Sequence, residues 1–451
     1  MDTAETARGA PREPAWVTHA VWWHVYPLGF TGADTTGQQR QPARGLTHII
    51  DWLDYAVRLG ASGIALGPIF ASATHGYDTI DHYLIDARLG DDADFDRLVT
   101  AAHKRGLRIL LDGVFNHVSR DHPSFVDVLS YGSHADHADW FRRTGPGAAE
   151  PANQAEAEYD TFEGHPGLIE LNHANPEVAD YVSDVMAYWL DRGADGWRLD
   201  AAYAVPRAFW STVLGRIRAA HPDAFFVGEV IQGDYAAIVT DTGLTSVTQY
   251  ELWKATWSSL NDRNFFELAW ALDRHNTYLD TFVPMTFIGN HDVTRIASAL
   301  IDERNLPHAL VLLLTTGGTP AIYYGDEQAF HGLKEQRVGG DDAIRPEFPA
   351  TPSDLAPLGA STYRLHQDLI GVRRRHPWLH DARTQILELN NQHLAYDVTE
   401  GTHRIRVLLN IADTGIEHRL GSGSSILASS DLTTCMEGSI QLPPHGWAIT
   451  S

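Results

Sequence analysis

Ala194-Asp195-Gly196-Trp197-Arg198-Leu199-Asp200-Ala201 is an apolar run that ends in a cation and a carboxylate two residues apart. Helical patterns flank it, so Gly196 to Ala201 is expected as a buried strand. Side chains two apart on a strand share a face, which points Arg198 and Asp200 into one interior. Two charges facing one interior are costly unless they pair. A neighbouring guanidinium favours the ionised carboxylate. A fixed, ionised carboxylate at a strand's carboxyl end is suited to nucleophilic attack. The competing reading of this stretch alone is a buried ion pair without chemistry.

The same alternation continues on both sides. Before it, short apolar strands are expected at Val21 to Tyr26, Gly63 to Leu66 and Leu107 to Phe115. After it come Phe225 to Val230, Ser246 to Tyr250, Val283 to Gly289 and Ala321 to Tyr324. Helical spacing falls between them at Gly45 to Leu59, Phe95 to Lys104, Pro176 to Asp191, Pro206 to Ala219 and Val293 to Ile301, with a last helix over Thr362 to Arg375. Eight βα units imply a closed parallel sheet, a (β/α)8 TIM barrel. The rhythm breaks after His117, where over fifty residues carry Gly, Pro, His and Asp without clean periodicity. An irregular stretch of that length suggests an inserted, loop-rich subdomain over an active site. The expected organisation is an N-terminal arm (1–18), the barrel (19–117 and 171–378), the inserted subdomain after strand 3 (118–170) and a C-terminal antiparallel β-sandwich domain (379–451).

The chain has 451 residues and a formal charge of −24, which disfavours nucleic acid and anionic membrane surfaces as partners. A single cysteine, Cys435, excludes an intrachain disulfide and fits a reducing compartment. Met1 to Arg8 lacks a basic start followed by an apolar run, so no signal peptide and no membrane anchor is expected. A cytoplasmic location follows as the expectation.

In a barrel of this kind the reactive face lies at the strands' carboxyl ends. Polar residues collected there are His75, Tyr77 and Asp78 after the second strand, and Asp112, Asn116 and His117 after the third. Arg198 and Asp200 follow the fourth, Glu229 the fifth, and Asn290, His291 and Asp292 the seventh. Each has a bland alternative. Asp112 suits a structural bond to Arg198, Asn116 a turn, the histidines a satisfied core position, and Asp292 a helix cap. Glu229 ends an apolar strand, and a desolvated Glu is a proton donor with a raised pKa. Convergence of Asp200, Glu229 and Asp292 on one rim favours the catalytic reading.

These stretches resemble the motifs of the α-amylase family, glycoside hydrolase family thirteen. The likeness covers residues from about 22 to 348. It rests on Asp112-Gly113-Val114-Phe115-Asn116-His117, Gly196-Trp197-Arg198-Leu199-Asp200, Gly228-Glu229-Val230, Ile288-Gly289-Asn290-His291-Asp292 and Gly318-Thr319-Pro320-Ala321-Ile322-Tyr323-Tyr324-Gly325-Asp326-Glu327. The resemblance implies Asp200 as nucleophile, Glu229 as general acid/base and Asp292 as transition-state stabiliser. It implies Tyr77, Asp78, His117, Arg198, His291, Tyr203 and Arg295 as substrate-binding residues, on an oligosaccharide substrate. His75-Gly76-Tyr77-Asp78-Thr79 and Arg198-Leu199-Asp200-Ala201-Ala202 are most similar to the cyclomaltodextrinase, neopullulanase and maltogenic amylase type. Such enzymes favour short or cyclic maltooligosaccharides and retain anomeric configuration.

Some positions depart from that type. The barrel begins near Val21, without the amino-terminal β module that helps such enzymes dimerise; a homodimer is carried as an expectation that this weakens. Glu170 stands where a family motif usually carries Asp. Tyr203-Ala204 follows the nucleophile where that type tends to have Asn-Glu, which leaves the acceptor side nonstandard. No cofactor is required by the chemistry. A structural calcium ion is common in the family, with Asn116 as the matching ligand, although a calcium cage needs six to eight oxygens. An α-glucosidase or transglycosylase on the same site is the neighbouring alternative, and a non-catalytic sugar-binding protein the remote one.

Overall fold

Strands Trp22–Val25 (β1), Gly63–Leu66 (β2), Arg108–Gly113 (β3), Gly196–Leu199 (β4), Phe225–Gly228 (β5), Ser246–Val247 (β6), Met285–Phe287 (β7) and Thr319–Tyr323 (β8) form one parallel sheet in the computed structural model. The structure describes residues 13–41, 44–144, 158–337, 339–421, 423–436 and 438–451. Ladder pairing runs β1 to β6 in chain order and returns through β8 and β7. A parallel bridge between Thr248 and Met285 joins the two ends and closes the barrel.

Period-two alternation sorts the strand side chains into two cores. Trp22, Leu110, Phe225, Val227, Met285 and Phe287 fill the barrel interior. Their neighbours Trp23, Leu111 and Phe226 point outward into the layer between sheet and helices. The helix Gly45–Leu59 ends at Gly60, whose φ of 105° is the left-handed cap that glycine adopts at little cost. Asp91 starts the helix Asp92–Lys104 with a capping box closed by Asp94.

Two expectations are corrected. The N-terminal arm (1–18), polar with two prolines and so expected to be loose, holds regular structure near its end. Residues 1–12 lie outside the described residues, but Ala15–His19 forms a 3₁₀ turn with Val17 buried. Trp16 packs edge-on against Trp22 and Phe225 and bonds Asp223 O through Nε1, so the arm plugs the barrel's amino end with apolar surface. The crossover helix before β8 is Leu306–Thr315, whereas Val293 to Ile301 holds only the four-residue Ile296–Ala299. Leu306–Thr315 is buried on every side, so it carries no amphipathic stripe for periodicity to find.

The inserted segment leaves and rejoins the barrel through an antiparallel pair, His117–Ser119 with Leu168–Glu170. The part of the expected subdomain at 145–157 lies outside the described residues. Beyond the barrel, a five-stranded and a three-stranded antiparallel sheet follow. Ala395, Leu408, Ile440, Leu442 and Ala448 pack together between them. His308 Nε2 reaches Asn410 O at 3.1 Å and Gly446 O at 3.3 Å, tying this unit to the barrel.

Candidate active site

The site is built on the ladder between β3, β4 and β5. Register pairs Arg198 with Asp112 on one side and Val227 on the other. Two further backbone bonds, Asp200 N to Gly113 O and Glu229 N to Leu199 O, prolong the ladder beyond the strands and fix where both acids leave it. Ala201, directly after Asp200, sits at φ 44°. A non-glycine residue there is strained, and such strain collects at functional sites.

Arg198 organises the acids. Its Nη1 donates to Asp112 and to Asp200 Oδ1, each at 2.8 Å, and its Nη2 lies 2.8 Å from Glu229 Oε1. Glu229 also accepts from Ala201 N at 3.0 Å and from the Tyr250 hydroxyl at 3.1 Å. Asn290 Nδ2 donates to that hydroxyl. On the facing wall, Asp292 accepts from Arg345 Nη2 at 2.9 Å and lies 2.8 Å from His291 Nε2. His291 is sandwiched between the parallel rings of Tyr26 and Tyr77. The Tyr77 hydroxyl donates to Asp112 at 3.1 Å and also contacts His291. His117 is fixed by Tyr77 O at 3.0 Å and by a stacked Phe162.

Asp112, Asp200, Glu229 and Asp292 therefore surround two guanidiniums, Arg198 and Arg345. Burial pushes both Asp200 and Glu229 up, and Arg198 opposes it on each; Glu229 is raised further by the charge of Asp200. Asp112 is pushed up to about 7 by burial and by Asp200, against Arg198. Asp292 moves the other way. Burial would raise it, but His291, Arg345 and Arg198 together hold it well below the usual carboxylate range. The site thus lowers one acid and raises its neighbours, the divergence of environments that acid–base chemistry uses.

All three expected catalytic acids border one cavity of about 530 Å³, with Tyr77, His117, Tyr203, Tyr250 and Arg345. Four of the seven expected substrate-binding residues, Asp78, Arg198, His291 and Arg295, do not line it. Arg295 is fully buried, its guanidinium bonded to Asp326, Tyr324 O and Ile344 O; it holds the loop after β8 and touches no cavity surface. Asp78 accepts from Thr74 N and Oγ1 and closes the turn that carries His75 and Tyr77. Arg198 and His291 act from behind the acids. Arg345, Phe162 and Glu163 are contributed by segments away from any strand end, where no motif pointed to them. Tyr250 closes the sixth expected strand in the sequence reading but opens the helix Tyr250–Asn261, and nothing in the sequence had marked it as a site residue.

Asn116 is buried, with its side-chain Nδ2 3.3 Å from His117 Nδ1 and its backbone carbonyl accepting from Leu171 N. Glu170 faces Arg142 at 3.6 Å. Among the described residues no group of three or more His, Cys, Asp or Glu side chains is placed to hold a metal ion. No step below passes through a calcium ion.

A closed barrel with paired carboxyls beside a guanidinium and a third acid on the facing wall defines a glycoside hydrolase. The family model for the α-amylase catalytic domain matches residues 24–349, and the chain belongs to that family. It is 30% identical to a cyclomaltodextrinase of Geobacillus thermopakistaniensis over 97% of this chain and 77% of that protein. Among solved structures, the debranching enzyme of Nostoc punctiforme superposes with a TM-score of 0.81 at 28% identity, covering 98% of this chain and 99% of that one. The cyclic α-maltosyl-(1→6)-maltose hydrolase of Arthrobacter globiformis gives 0.81 at 26% identity, covering 98% and 100%.

Proposed function

We propose that this protein cleaves α-1,4-glucosidic bonds, with tolerance of α-1,6 links, in short or cyclic maltooligosaccharides, through a covalent intermediate and with retention of configuration. The observation that carries this is the single Arg198 guanidinium touching both Asp200 and Glu229. A shared guanidinium keeps the two carboxyls near each other, and this supports the retaining reading, in which the pair stands roughly 5–5.5 Å apart.

Arg198 occupies Asp200 Oδ1, leaving Oδ2 to attack the anomeric carbon. That bond forms as the bond to the leaving oxygen breaks, and Glu229 gives the leaving oxygen its proton. Glu229 then takes a proton from water, the resulting hydroxide bonds the anomeric carbon, and the ester to Asp200 breaks. Asp292, kept ionised by Arg345, binds sugar hydroxyls whose bonds strengthen as positive charge develops. Tyr77 offers its ring to the glycone sugar.

The names of the relatives support short and cyclic maltodextrins as substrates. A cytoplasmic location is part of the proposal. It is supported by 31% identity to an intracellular maltogenic amylase of Bacillus subtilis, over 71% of this chain and 57% of that protein. Among the described residues no helix is long and apolar enough to cross a membrane. Incubation with a cyclic maltodextrin and with maltotetraose, with products resolved by chromatography, tests the reading. Ring opening followed by maltose or other short products is expected, and no cleavage of either substrate would overturn it. The same chromatograms give the ratio of transfer to hydrolysis, which separates a transglycosylase.

A further inference from the structure

The two ends of the cleft are built differently. On the acceptor side, Tyr203 stands three residues past Asp200 in the short turn Ala202–Ala204. Its hydroxyl donates to Glu163 Oε1 at 3.1 Å. Glu163 comes from the inserted segment, forty residues earlier, and both side chains border the cavity that holds the acids. Glu163 sits at φ 50°, ψ 27° in the turn Phe162–Gly164, a left-handed conformation that costs a non-glycine residue energy and persists when its surroundings fix it. Those surroundings are the stack of Phe162 on His117 at 4.7 Å and the bond to Tyr203. On the glycone side the cavity meets a second one of about 760 Å³, with which it shares His75, Asp341 and Arg345.

We infer that Glu163 is a specificity-determining residue: through Tyr203 it bridges the acceptor side of the cleft, so that the enzyme holds the long part of a linear chain on the glycone side and releases a short leaving group. This rests on the reaction proposed above. On this inference the bridge from the inserted segment to the turn after the nucleophile limits the leaving group to one or two sugars. A longer leaving group has to break the Tyr203–Glu163 bond to pass. Ala204 puts only a methyl group into that turn, so the carboxylate from residue 163 is what closes it.

The test is the position of the first cut in linear maltoheptaose carrying a chromophore at its reducing end, read as the distribution of tagged products at low conversion. Each distribution is internal to one protein, so a loss of total rate does not imitate a shift. The wild-type protein is expected to give tagged products of one or two glucose units. Glu163→Ala and Tyr203→Phe each remove the bridge and are expected to raise the share of longer tagged products several-fold. Glu163→Gln keeps an acceptor for the Tyr203 hydroxyl and is expected to stay near wild type. Identical distributions in all four proteins, or long tagged products from the wild type, would overturn the inference while leaving the hydrolase reading intact. No cleavage of the tagged substrate by the wild type overturns the hydrolase reading itself. Tyr203→Phe keeps the ring and its packing, so the comparison stands if Glu163→Ala does not fold.

Discussion

At the scale of single residues, Arg198 converts four crowded acids into a working set. It binds three of them directly and leaves Asp292 to Arg345. Asp200→Asn is expected to fold normally yet lose about 10⁴-fold or more in kcat, the scale seen when one member of a catalytic unit is removed. Near-normal turnover on maltotetraose would refute the nucleophile. Arg345→Ala is expected to lower kcat/KM about 10²- to 10³-fold, because it removes a preorganised partner of the transition-state acid; steady-state kinetics on the same substrate check it. The pH profile follows from the signs of the shifts. Glu229 must carry its proton, so the rate falls as pH rises through its raised pKa. Asp200 must be ionised, so the rate also falls on the acid side. Each limb is expected above the free value of its own carboxyl, about 3.9 for Asp and about 4.3 for Glu. Glu229→Gln is expected to remove the basic limb for an aryl glycoside whose leaving group needs no proton, and a basic limb that survives would reassign the acid. Asp200, Glu229 and Asp292 were legible in the sequence because each ends an apolar strand inside a recognisable motif. Arg345 was not, since it lies in an irregular loop beyond β8 where neither period nor motif marks it. Arg295, which the resemblance implied as a substrate-binding residue, points instead to Asp326 and is fully buried.

At the scale of elements, the strands were the easiest to read. They are buried on both faces, so each is a short, unbroken apolar run closed by polar residues. The helix Leu306–Thr315 was missed for the related reason that it is apolar all round. Close approach of the loops after β7 and β8 is a second property that the sequence hides. Gly289 leaves space for Asp326: a Cβ there would lie 2.2 Å from Asp326 Oδ2, and Asp326 is itself bonded to buried Arg295. Gly289→Ala is expected to cost about 1–3 kcal/mol as overpacking, measured by urea unfolding, with a loss of activity because Asp292 lies three residues on. A change below about 0.5 kcal/mol, the usual size for an unconstrained surface site, would show that the two loops yield freely.

At the scale of the whole molecule, the barrel and the β unit beyond it were readable as classes from the change in spacing near residue 380. The seam between them was not: Leu394, Tyr396, Val407, Leu409 and Trp447 continue the barrel's outer apolar core, and alternation along a strand does not say which surface covers its apolar face; single polar groups such as His308 add to that packing. Burial lowers His82, His117, His275, His308 and His366 to about 4, with only partial opposition from backbone bonds. An unfolded histidine binds a proton near pH 6.5, whereas these bind theirs only near 4 when folded. Between those values the unfolded chain holds more protons, so stability falls as pH falls. The thermal midpoint is expected to drop steadily from pH 7 to pH 4.5 in calorimetry at constant ionic strength. Asp112, Asp326 and Glu327, pushed up to about 7, 6 and 7, bind protons in the folded state and oppose this trend, so a midpoint that rises as pH falls would contradict neutral burial of these rings.

The central claim is a covalent bond between Asp200 and the glycone sugar. A fluorinated maltosyl fluoride that slows the second step should trap that bond, and peptide mass spectrometry should locate it. The expected result is one added maltosyl mass on the peptide carrying Asp200, absent in Asp200→Asn. Consumption of the reagent with no adduct, or an adduct on Glu229 or Asp292, would contradict the account.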